Sequence, residues 1–125
     1  MIDQEKNKQP LDLSYLSGMS GDSAEFMIEM LDMFKLQTPL YVAELEKSVA
    51  AEDWPSAAGH AHKIKPTLSY VGREDARGLL QHIENNAKGL TGLQYIPEAM
   101  EELRDFLKVL YVQLDEAKVH LQGKL

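Results

Sequence analysis

His62 and Lys65, three residues apart within the stretch from Ala58 to Gly72, are the pair whose types and spacing can do chemistry. A neutral imidazole nitrogen is a competent nucleophile near neutral pH, and attack on an activated phosphoryl group is one of the reactions it performs. On a helix, an ammonium one turn away reaches an anion attached to the ring and offsets the charge that arrives with it. A solvated histidine and lysine on a helix face would have the same spacing, so the pair by itself leaves both readings open.

The element that must carry the pair is a helix. Asp53 can cap it, with Trp54 and Pro55 in the first turn, where a proline costs least. Trp54, Ala57, Ala61, Ile64, Leu68 and Val71 recur in steps of three and four, the pattern of a bundle seam. Gly72 then ends the helix, because glycine tolerates the left-handed conformation. At ~100° per residue, His62 falls roughly 125° from the middle of that stripe, and His60 lies on the other flank at about 75°. Ala58, Lys65, Pro66 and Ser69 share the side of His62, where small groups leave the imidazole open to a partner. His60 and His62 face different flanks and cannot chelate one ion from a single helix, so His60, His62, His82 and Glu84 make no metal site, and none is expected.

The rest of the chain supplies further helices. Residues 1–9 are polar and read as a flexible lead-in to one domain over residues 10–125. Pro10 to Leu16 reads as a short helix or turn that ends at Ser17-Gly18 and caps the bundle. Asp22 and Glu25 have capping-box spacing, which predicts a helix running to about Glu52 with a kink at Pro39. Its seam is Phe26, Met27, Met30, Leu31, Phe34, Tyr41, Val42, Leu45 and Val49. Glu74-Asp75 opens a helix with Ala76, Leu79, Leu80, Ile83 and Ala87 on one face, closed by Lys88-Gly89. Pro97 opens the last helix, with Ile96, Met100, Leu103, Leu107, Leu110, Leu114, Ala117 and Leu121 in step. Four long amphipathic segments with short connections predict an all-α fold, an antiparallel up-down-up-down four-helix bundle with a short N-terminal capping helix.

Composition narrows the function classes. The chain of 125 residues is long enough to bury a core, and with no cysteine it has no thiol chemistry or disulfide. A net charge of −7 argues against nucleic acid, whose phosphates demand a basic surface. No run approaches the ~20 apolar residues of a membrane span, and the N-terminus lacks a signal-peptide core, so the expectation is a soluble cytoplasmic protein.

The run Ala61-His62-Lys63-Ile64-Lys65, followed by Gly72, resembles the signature of histidine-containing phosphotransfer (HPt) domains of two-component phosphorelays. Asp12 to Leu16, Phe34 with Pro39, Leu45, Asp53-Trp54 and Ile83-Glu84 look like lesser landmarks of that family, so the likeness covers nearly the whole chain. The resemblance implies a phosphocarrier with no ATP-dependent kinase activity of its own. His62 would accept a phosphoryl group from a receiver-domain aspartate and pass it to another receiver, with Lys65 stabilising the phosphoryl charge. It implies response-regulator receiver domains and an upstream hybrid histidine kinase as partners of a monomeric protein. No cofactor is bound by the chain itself, and Mg2+ is carried by the receiver. Nε2 is the implied acceptor atom, and Glu84 matches a family position that holds Nδ1 and orients the imidazole. Ala58, Pro66, Ser69, Gly72 and Arg73 are the implied docking positions. Pro66 stands where the signature has glycine and is expected to bend the helix. The competing reading is a non-catalytic adaptor or scaffold that binds receivers without chemistry.

Overall fold

The computed structural model describes all 125 residues. Six α-helices follow in order: α1 (Gln4–Asn7), α2 (Ser14–Ser20), α3 (Ala24–Ala50), α4 (Trp54–Tyr70), α5 (Glu74–Gly89) and α6 (Ile96–Gln122), with a 3-10 turn (Leu93–Tyr95) before the last. The four long helices close a ring in which α3 packs on α4 and α6, and α5 packs on α4 and α6. The connections are short, so successive helices run antiparallel, as the seams predict. No helix is long and apolar enough to cross a membrane.

Burial follows the predicted stripes except at Phe26, which is 37% exposed at the start of α3. Leu31, Phe34, Val42 and Leu45 of α3, Ala57, Ala61, Ile64 and Leu68 of α4, Leu79, Leu80 and Ile83 of α5, and Met100, Leu103, Leu110 and Leu114 of α6 form one continuous core. α2 closes one end against α3 and α4. Leu16 is fully buried there, and the Tyr15 ring lies 5.4 Å from that of Tyr70, which stacks in turn on Phe34 at 5.7 Å.

The helix ends differ from expectation in instructive ways. α2 passes through Gly18 and stops at Gly21, which is left-handed. The cap of α3 is Ser23, whose hydroxyl accepts from the Phe26 amide, and not the Asp22–Glu25 box. Asp22 has φ +64 and receives the Ser17 hydroxyl instead. Asp53 does cap α4, accepting from the Ser56 amide. The far end of α4 is a Schellman turn: the Arg73 amide bonds the Leu68 carbonyl at 2.8 Å and the Gly72 amide bonds Ser69 at 3.2 Å, with Gly72 at φ +75. α5 includes Gly89, and Leu90 takes the left-handed position at φ +53.

Residues 1–9 are docked rather than free. Asp3 caps α1, the Ile2 amide bonds Glu102, and the Asp3 amide bonds Asp75. Gln113 of α6, buried at a core position, donates to the carbonyls of Lys6 and Gln9. A short polar segment can be held by such long-range hydrogen bonds, and they leave no trace in its own composition.

Candidate functional site

α4 and α5 form the most extensive helix pair, and the site lies along their outer seam. Small residues at Ala57, Ala58 and Ala61 let α5 come close, so α4 is covered over more of its circumference than its apolar stripe alone would require. His62 escapes this cover: its side chain is 68% exposed. Ala58 and Lys65 do not. They sit roughly 40–60° round the helix from His62, in the direction of the stripe, and α5 lies over that flank. Lys65 is buried, its side chain 8% exposed, which corrects the expectation that it faces solvent beside His62.

Two i, i+3 patterns meet here: His62 and Lys65 on α4, Gln81 and Glu84 on α5. Glu84 Oε2 lies 3.1 Å from His62 Nδ1, and its Oε1 lies 2.6 Å from Lys65 Nζ. Lys65 Nζ also donates to Gln81 Oε1 at 2.7 Å, and Gln81 Nε2 donates to Asn85 Oδ1 at 2.8 Å. Burial works to raise the Glu84 carboxyl, but the Lys65 ammonium and the His62 ring outweigh it and hold the group below its usual range. An ionised carboxylate can only accept, so Nδ1 carries the ring proton, and in the neutral imidazole the lone pair stands on Nε2, away from α5.

His62 stands between two hollows. One, of about 550 Å³, is lined by Pro55, Gly59, Ala87, Lys88 and Leu90 with Ala58 and Glu84. The other, of about 260 Å³, is lined by Tyr15, Lys65, Pro66, Ser69, Tyr70 and Arg77. Ala58 thus lines the site although it is buried, and Pro66 and Ser69 border it. α4 remains helical through Pro66 to Tyr70. The proline removes only the amide that would have met the His62 carbonyl, and Glu84 holds the ring from the neighbouring helix.

Of the other expected docking positions, Gly72 packs against the segment before α2 and Arg73 is buried instead of exposed. A Cβ at Gly72 would lie 2.5 Å from the Asp12 carbonyl oxygen, so this glycine serves close approach of the segment before α2. Arg73 is 2% exposed. Its guanidinium pairs with both oxygens of Asp75 (3.1 and 2.9 Å), donates to Gln113 Oε1 (2.8 Å) and Asn7 Oδ1 (2.7 Å), and lies over the Phe106 ring at 4.7 Å. Gln81 and Asn85 escaped the sequence reading. Their signal is the polar i, i+3, i+4 face of α5 that they share with Glu84. His60 and His82 lie outside this network, and His82 pairs with Asn86 at 3.1 Å.

The bundle thus presents the open imidazole of His62 with its second nitrogen held by a carboxylate. The Hpt domain family matches residues 29–117, and the chain belongs to that family. It is 30% identical over 102 residues to the phosphorelay intermediate protein rdeA of Dictyostelium discoideum; the match covers 79% of this chain and 40% of that protein's length. In fold it resembles histidine-containing phosphotransfer protein B (HptB) of Pseudomonas aeruginosa PAO1, with a TM-score of 0.68 at 19% identity over 91% of this chain and 92% of that one. It also resembles the HPT domain of the Hpt sensor hybrid histidine kinase from Shewanella, with a TM-score of 0.62 at 20% identity over 92% of each chain.

Proposed function

We propose that this chain is a phosphorelay intermediate in which His62 Nε2 takes a phosphoryl group from a receiver-domain aspartyl phosphate and returns it to the aspartate of another receiver. The observation that carries this reading is the exposed ring of His62 with Nδ1 held by Glu84. The Nε2 lone pair attacks phosphorus, the P–O bond to the aspartyl carboxylate breaks, and the carboxylate leaves with the electron pair. The Nδ1 proton stays in place, so the ring becomes cationic as the N–P bond forms, and the Glu84 carboxylate faces that charge. Lys65, paired with Glu84 at 2.6 Å, balances that carboxylate, so the arriving phosphoryl charge does not meet an uncompensated anion. Such transfer asks the protein for positioning and charge stabilisation more than for covalent work.

Partners of this kind are acidic at their phosphorylation site. Arg77 in one hollow and Lys88 in the other suit an acidic partner on a protein that is negative overall. Mg2+ enters with the receiver, a hybrid histidine kinase stands upstream, and the chain works as a monomer. The test is incubation with a phosphorylated receiver, with a search for acid-labile, base-stable phosphate. Wild-type protein takes the label and His62→Ala does not; label persisting on His62→Ala would move the site elsewhere. A chain that binds phosphorylated receiver and never takes label would be an adaptor.

A further inference from the structure

Lys65 is not free beside His62. Its ammonium is seated between Glu84 Oε1 at 2.6 Å and Gln81 Oε1 at 2.7 Å. The orientation of the Gln81 amide follows from its partners: lysine only donates, so Gln81 must present its oxygen, and its nitrogen then donates to Asn85 Oδ1. One chain of hydrogen bonds therefore runs Asn85, Gln81, Lys65, Glu84, His62 across the α4–α5 seam.

The geometry points to Gln81 as a positioning residue for phosphoryl transfer on His62, acting through Lys65 and Glu84. This rests on the reading of His62 as phosphoacceptor and adds to it what sets the reactive form of the ring. The Glu84 carboxylate has two oxygens and two claimants. Gln81 draws the Lys65 ammonium to the Oε1 side, which leaves Oε2 nearer to Nδ1, at 3.1 Å against 3.4 Å for Oε1. Without the Gln81 acceptor, the flexible lysine stem lets the ammonium straddle both carboxylate oxygens and compete with the ring. A histidine side chain that loses its Nδ1–H acceptor reverts towards the tautomer protonated on Nε2. That tautomer has no lone pair at the atom that must attack, so the position of Lys65 controls the reactive fraction of His62.

The test compares wild type, Gln81→Leu, which keeps bulk and removes the acceptor, and Gln81→Glu, which restores one. Gln81 is half-buried at the seam, and leucine is close to it in volume. The ring 15N shifts of His62, read where the imidazole is neutral, report the tautomer. Labelling by phosphoramidate, a small donor that needs no receiver docking, reports reactivity. Wild type and Gln81→Glu are expected to hold the proton on Nδ1. Gln81→Leu is expected to shift towards the Nε2-protonated form and to label about tenfold more slowly, the factor that loss of one net hydrogen bond corresponds to. Unchanged 15N shifts in Gln81→Leu would overturn the inference, whether or not the rate falls, because a slower rate alone would mean a merely structural role. Absence of label on the wild type would overturn the phosphoacceptor reading and not the tautomer assignment, which the nitrogen shifts read independently.

Discussion

At the scale of single residues, Glu84 carries two duties with one carboxylate, orienting His62 and neutralising a buried lysine. Glu84→Ala would leave Lys65 without its counter-charge and is expected to destabilise the fold by about 3 kcal/mol, the cost typical of breaking a buried ion pair from one side. The pH dependence has a definite sign. A carboxylate whose folded pKa lies below its unfolded value stabilises fully above the unfolded value and loses that contribution as pH falls through the folded one. The stability gap between wild type and Glu84→Ala should therefore stay constant from neutrality to about pH 5 and narrow below it. Urea melts at a series of pH values measure this, and a gap that widens in acid would contradict the pairing. Gly72 is the other residue with no substitute. Gly72→Ala meets the Asp12 carbonyl in a left-handed conformation and is expected to cost about 2–4 kcal/mol in the same assay.

At the scale of helices, the ends decide where side chains point. α3 closes with Glu52 at φ +54, the Asp53 amide bonding the Ser48 carbonyl at 2.9 Å and the Glu52 amide bonding Val49 at 3.0 Å. This is the turn that glycine makes at the end of α4, here made by a residue that is strained in it. Glu52→Gly should raise stability by about 0.5–1 kcal/mol, the strain relieved less the extra freedom glycine gives the unfolded chain. A drop in the denaturation midpoint would contradict it. Leu90 is strained in the same way but is exposed at the rim of the larger hollow beside His62. Within α4, Pro66→Gly returns an amide to the His62 carbonyl, and because the ring is held from α5, labelling of His62 should persist. Loss of labelling would mean that the proline is itself part of the site.

At the scale of the whole molecule, Arg73 fastens the N-terminal segment to the bundle. Its guanidinium joins Asn7, the start of α5 through Asp75, and α6 through Gln113. Burial works to raise the Asp75 carboxyl, but Arg73 and the Asp3 amide hold it below its usual range. Arg73→Met would strand Asp75 and Gln113 and is expected to cost about 3–5 kcal/mol. If the cluster is what docks residues 1–9, hydrogen exchange of the Ile2 and Asp3 amides should rise in the same variant. Unchanged exchange there would separate the segment from the cluster.

The sequence by itself determined the four long helices, most of their core stripes and the exposure of His62, because helical periodicity is a local property, while Glu84 became a candidate through the family resemblance. It misjudged Lys65 and Arg73, since a charged residue reads as solvent-facing until its buried partners are known: Glu84 and Gln81 of α5 for Lys65, and Asn7 and Gln113 beside the nearby Asp75 for Arg73. It passed over Gln81 and Asn85 because their polar face on α5 gains meaning only once Lys65 of α4 is known to reach it. Only the tertiary structure decided that α5 covers the flank of α4 next to His62. That packing turned a histidine and a lysine one turn apart into a ring with one nitrogen held and the other free.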